Sequence, residues 1–284
     1  MPKYLIVNAD DLGMSPGVNR GILEAHEQGI VTSTTVMINM PAAEAGIRLA
    51  QQRAPRLGLG LHINLSFGAP VSDPARVPSL VLPDGQFCAT YEALIERLPS
   101  FRSEDLQAEI TAQAARFVRL AGGPPDHLDS HHGVTYMHPA AFDVMLRLAA
   151  HYQIPIRNGE WFLSDEAVGH LPPSPDGLLV HRLRAVYVAN PRPRWPLPCP
   201  VSELPFYGEG ATLENLLGIL ARLPEGVTEL MCHPGYAADL DEAYAAPREQ
   251  ELRVLTDARV RQTVEREGIR LITFAEFAAL PEAG

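Results

Sequence analysis

Two adjacent carboxylates, Asp10 and Asp11, follow an apolar run at residues 4–9. Such a pair, once buried, is costly unless it is paired or binds a cation. Side chains alternate along a strand, so one aspartate could serve as a metal ligand and the other as a base. Asp-Asp-Leu-Gly is also a fair turn sequence. His62 and Asn64 stand two apart in LGLGLHINL and would share a strand face. A single histidine in an apolar strand is also compatible with a hydrogen-bonded core position. In HLDSHH, His127, Asp129 and His131 share a face if the strand stays extended, with His132 beside them. Three imidazoles and a carboxylate within six residues are hard to explain as packing. Neutral imidazole is a common ligand for divalent metals, with carboxylate as its partner. The H-E-x-x-H helix of zinc proteases is absent. His233 closes the run TELMCH, where it could protonate a leaving group or simply mark a strand exit. Asp and His at four strand ends together suggest a hydrolytic metal site with room for water.

Short apolar runs alternate with helical periodicity along the chain. Strands are expected at 4–9, 31–39, 57–65, 127–131, 154–157, 228–232 and 269–273. Helices are expected at 17–28, capped by Ser15-Pro16 and closed at Gly29, and from Pro41 to before Pro55. Others are expected at 103–121 with Ser103 as N-cap, from Pro139 to 151, at 213–222, and as one long charged helix at 248–267. The strand–helix alternation predicts an α/β fold, a distorted TIM-like (β/α) barrel. It would form one catalytic domain over 1–284, with loop insertions near 68–86 and 170–200. A doubly wound open sheet is the alternative, but no G-x-G-x-x-G follows the first strand. In a barrel the chemistry gathers at the C-terminal ends of the strands, where these polar residues fall.

The 284 residues carry a formal net charge of -11, which argues against nucleic acid as the main partner. Cys88, Cys199 and Cys232 are dispersed and odd in number, unlike a disulfide framework or a thiolate zinc site. The apolar stretch before Asn8 is too short for a signal peptide, and no apolar run approaches a membrane span. No membrane partner and a cytoplasmic location are expected.

The segments LIVNADDLG, GIVTSTTVMIN, GLGLHINL, HLDSHH, IPIRN, FYGEG and LMCHPGY occur in that order. With them the sequence resembles the YdjC-type carbohydrate deacetylases, a family that includes chitooligosaccharide deacetylase. The resemblance implies a barrel related to the NodB-type polysaccharide deacetylases, and hydrolysis of an N-acetyl group on a sugar or oligosaccharide. It implies one divalent metal held by Asp11, His62 and His131. It also implies Asp10 as general base, Arg157 as the group that orients and charge-stabilises it, and His233 as general acid. The family association is with magnesium, whereas two nitrogens and a carboxylate suit zinc. A homodimer is implied as well. One departure stands out: the family run HHHVH reads HHGVT here, which bears on pocket shape. Tyr136, Trp161 and Tyr207 are candidates for stacking on a sugar ring, with ordinary packing as the alternative. Two rivals remain. One is a glycoside hydrolase using Asp10 and Asp129; the other is a metal- or sugar-binding protein without turnover.

Overall fold

The computed structural model describes residues 2–88, 90–159, 197–198, 206–240 and 244–281. Trp161, Cys199 and nearly all of the insertion expected at 170–200 lie outside the described residues. In chain order the principal elements begin with β1 (Lys3–Leu12), α1 (Pro16–Glu27), β2 (Ser33–Val36), α2 (Ala43–Arg53) and β3 (Gly58–Ile63). They continue with α3 (Tyr91–Arg97), α4 (Ser103–Ala121), β4 (Leu128–Ser130), α5 (Val134–Met137), α6 (Pro139–Tyr152) and β5 (Leu197–Pro198). The last are α7 (Leu213–Ala221), β6 (Gly226–Cys232), α8 (Ala245–Leu255), α9 (Ala258–Arg266), β7 (Arg270–Leu271) and α10 (Phe274–Ala279). The strand pairings are parallel, and helices separate successive strands, the α/β pattern of a distorted (β/α) barrel. The chain divides into two compact units, Met1–Val36 with Pro41–Gly60 and Trp195–Gly284, and Met37–Met40 with Leu61–Arg194.

In the first unit β1 pairs with β2, β6 and β7, and β5 pairs with β6. From Leu5 onward β1 is buried throughout, which explains its unbroken apolar run before the aspartates. It is longer than the predicted strand because it continues through both carboxylates. Ser15 caps α1 by accepting the Val18 N–H, and Pro16 opens the helix as expected. A β-carbon on Gly21 would sit 2.5 Å from the Gly235 Cα, so glycine lets the chain beyond β6 lie directly on α1. The long helix expected at 248–267 is two helices, α8 and α9. Asp257 breaks it by adopting an extended conformation and accepting the Arg259 N–H as the N-cap of α9.

In the second unit the end of β3 pairs with β4 in the register Leu61↔Leu128, His62↔Asp129, Ile63↔Ser130. An isolated bridge, Leu128↔Ile156, stands where the strand at 154–157 was expected. Arg102, not Ser103, is the N-cap of α4, and Ser103 is its first helical residue. Three buried polar residues of α4 pin the segment that precedes it. Asp105 accepts the Ser79 N–H and hydroxyl, Glu109 accepts the Val71 and Ser72 N–H groups, and Gln113 brackets the Asn64 backbone. The loop expected at 68–86 is therefore tied down, with a 3-10 turn at Pro74–Arg76 and a Val81↔Phe87 bridge.

Candidate metal and proton-transfer site

In the first unit the register of β1 against β6 ends at Ala9↔Cys232, and the next residues on each chain are Asp10 and His233. Asp10 is buried; Asn8 Nδ2 donates to its Oδ1 at 2.9 Å, and its Oδ2 lies 3.9 Å from His233 Nε2. Asp11 has φ 74, and the β1–β2 register slips between Ala9 and Leu12. Aspartate is one of the few residues that tolerate the left-handed region. This irregularity, more than strand alternation, directs the second carboxylate. Arg248 Nη2 donates to Asp11 Oδ2 at 2.7 Å, both groups being buried.

Glu251, one helical turn beyond Arg248 on α8, is fully buried. Its carboxylate accepts the His233 main-chain N–H and, at 2.5 Å, the Tyr244 hydroxyl. Tyr244 OH in turn accepts the Gly208 N–H at 2.6 Å. Tyr207 stacks on Tyr244 with ring centroids 4.3 Å apart and is 45% exposed, and His233 stands edge-on to both rings. Burial pulls the His233 imidazole toward its neutral form. The negative charge of Glu251, with Asp10 and Asp11, outweighs that and raises its pKa above the ordinary histidine value. Burial and the same Glu251 charge hold the Tyr244 phenol firmly protonated.

In the second unit the β3–β4 register sets His62 beside Asp129, and His62 Nδ1 meets Asp129 Oδ1 at 2.6 Å. With Nδ1 donating to that carboxylate oxygen, the Nε2 lone pair is available to a ligand. That Nε2 lies 3.2 Å from His131 Nδ1, with His62 and His131 both buried. Two nitrogens on a tetrahedral zinc stand roughly 3.3 Å apart, so this pair fits a cation's donor set. Arg157 Nη1 lies 3.1 Å from Asp129 Oδ2, so Asp129 is held between a histidine and an arginine. The Arg157 backbone N–H donates to Leu128 O, and its carbonyl accepts the Tyr136 hydroxyl.

The histidine-rich segment divides its labour differently from a continuous strand. The extended strand stops at Ser130; His131 opens a 3-10 turn yet meets His62 together with Asp129, whereas His127 bonds Asp126 at 2.6 Å. His132 has φ 53, stacks on His131 at 4.0 Å and reaches Ser66 Oγ at 3.1 Å. His138, after the HHGVT departure, caps α6 by accepting the Ala140 N–H. Asn64 is occupied in closing the turn at Ser66 and Phe67. Tyr136 is 1% exposed and packs near Phe142, a core position rather than a surface for a sugar, whereas Tyr207 is accessible.

Arg248, Glu251 and Tyr244 were not among the sequence candidates: the first two fall in a charged stretch expected as one long helix at 248–267, and Tyr244 lies just before it. A signal was present: Arg248 and Glu251 share the i, i+3, i+4, i+7 stripe with Leu252 and Leu255, and that stripe is the buried face of α8.

A profile described as YdjC-like protein matches residues 4–266. A carbohydrate deacetylase of Geobacillus stearothermophilus is 40% identical over 284 residues, covering 99% of this chain and 100% of that protein. A chitooligosaccharide deacetylase of Salmonella typhimurium is 34% identical, covering 97% of this chain and 100% of that protein. A crystal structure from Enterococcus faecalis, provisionally described as a cellobiose-phosphate cleavage protein, superposes with a TM-score of 0.78 at 32% identity. It covers 98% of this chain and 99% of its own. Matched over nearly its full length by profile, relatives and fold, the chain belongs to the YdjC-like family.

Proposed function

We propose that this protein is a metal-dependent carbohydrate deacetylase. It would hydrolyse the amide of an N-acetylated sugar or oligosaccharide to the free sugar amine and acetate. The observation that carries this reading is the His62–His131 nitrogen pair, backed by Asp129, in a chain whose full-length relatives are carbohydrate deacetylases. Asp11, His62 and His131, the ligand set that the family resemblance implies, would hold one divalent cation, zinc or magnesium, and two nitrogens with a carboxylate favour zinc. When bound, such a cation supplies Lewis-acid polarisation of the amide carbonyl and acidifies the attacking water. Asp129 orients the His62 ring through Nδ1, and Arg248 pairs with Asp11 and holds it in place.

Asp10 takes the proton of the attacking water, with Asn8 orienting its carboxylate. His233, held charged by its acidic neighbours, protonates the amine as the C–N bond breaks. Arg157 is the group that orients and charge-stabilises Asp10, and within its own unit it pairs with Asp129. A glycosidase role for Asp129 is disfavoured, because both its oxygens are already engaged, one by His62 Nδ1 and the other by Arg157. A single catalytic domain over 1–284, a homodimer and a cytoplasmic location belong to the same proposal. Among the described residues no helix is long and apolar enough to cross a membrane.

The test is acetate release from a panel of N-acetylated mono- and oligosaccharides. Metal-stripped protein is assayed, then protein given zinc, magnesium, manganese or cobalt. Acetate that appears only after metal addition is the expected result. Release that is indifferent to stripping, or cleavage of glycosidic bonds instead, would overturn it.

A further inference from the structure

We propose that Glu251 is a positioning residue for the reaction, holding the His233 ring by its Nδ1 edge so that Nε2 is the edge offered to the leaving amine. This rests on the reading of His233 as the proton donor. Glu251 is fully buried, yet the only ion pair it makes among the described residues is with His233. A buried carboxylate is costly unless its charge is met. Two hydrogen bonds meet it, from the His233 main-chain N–H and from the Tyr244 hydroxyl at 2.5 Å, and His233 Nδ1 faces it at 3.8 Å, an ion-pair distance rather than a hydrogen bond. The opposite edge of the ring, Nε2, faces Asp10 Oδ2 at 3.9 Å. The imidazole is thus bracketed by two carboxylates, one from α8 and one from β1, with Tyr207 and Tyr244 edge-on to it.

The hydrogen bond to the main-chain N–H fixes where the residue sits, and Nδ1, buried with no hydrogen-bond partner among the described residues, is the ring edge turned toward the Glu251 charge. With the Nδ1 edge turned to the Glu251 charge, the imidazolium proton on Nε2 is the one that can be transferred. Tyr244, itself anchored by the Gly208 N–H, donates to Glu251 and removes its freedom to swing away.

Glu251→Gln tests this, because the amide keeps an acceptor for the main-chain N–H but carries no charge. Histidine ring 15N resonances are recorded on the full-length protein, with His233 identified by its loss in His233→Ala. Wild type is expected to show a protonated Nδ1, and Glu251→Gln a redistributed ring proton. On an N-acetylated oligosaccharide, kcat of Glu251→Gln should fall roughly 10²-fold with KM little changed. Tyr244→Phe, which keeps the ring and loses one hydrogen bond, should show a smaller fall in the same sense and guards against misfolding of the first variant. Unchanged His233 resonances in Glu251→Gln, or an unchanged kcat, would overturn the proposal. Full turnover in His233→Ala would instead sink the proton-donor reading beneath it, and the ring resonances would still report on the Glu251 contact.

Discussion

At Asp10 and His233 the distance of 3.9 Å between carboxylate and imidazole lets each be tested against the other. Asp10→Asn keeps the shape and the capacity to hydrogen-bond Asn8 but cannot take a proton. Turnover is expected to drop by about 10²–10⁴-fold, the range a positioned base contributes, while zinc affinity by isothermal titration stays within a few-fold. The raised pKa of His233 has a definite sign for activity. A donor must be protonated, so a raised pKa extends the working range upward, and activity is lost as pH rises through that value. Removing the Glu251 charge should move this alkaline limb of kcat to lower pH, which a pH–rate profile of Glu251→Gln reads directly. Tyr207, exposed and stacked on Tyr244 beside the donor, can offer a ring face to a sugar. Tyr207→Ala is expected to raise KM for an oligosaccharide several-fold with little change in kcat, and equal loss in both would argue for a packing role.

The elements were more legible in the sequence than the contacts between them. β1, α1, α2, α6, α7 and β6 fall where periodicity, Ser15-Pro16 and the prolines put them, because each carries its own local signal. The break between α8 and α9 was hidden because charged residues run across it without a proline or glycine, and only the capping geometry of Asp257 exposes it. α10 carries a Thr273-to-Glu276 capping box that could have announced it. The site residues stood out by type and by position at strand ends. Arg248 and Glu251 did not, since a charge on a buried helical face looks like any other charge until the face is known. The polar ladder on α4 was invisible for the same reason. Gln113, fully buried, both accepts from and donates to the Asn64 backbone at 3.0 and 2.6 Å. Gln113→Leu strands that peptide without partners and should cost about 2–4 kcal/mol in urea unfolding. Ser15→Ala, which deletes a cap whose geometry is intact, should cost only about 1 kcal/mol by the same measurement.

At the scale of the whole molecule, a ligand that binds only the folded chain stabilises it by mass action. Zinc at a hundred times its dissociation constant should add about 2.7 kcal/mol and raise Tm by roughly 5 °C over chelator-treated protein. A His62→Ala variant should lose that increment, and differential scanning fluorimetry separates the two. The left-handed backbone at Asp11 bears on which residues this chain can carry there. At φ 74 the residues tolerated without strain are essentially glycine, asparagine and aspartate, and of these only aspartate answers the buried Arg248 charge. Most single substitutions there therefore fail twice, by backbone conformation and by charge. Asp11→Asn would keep that backbone and leave the buried Arg248 charge unanswered, whereas Arg248→Met would leave the Asp11 carboxylate without that partner; the two positions can change only together.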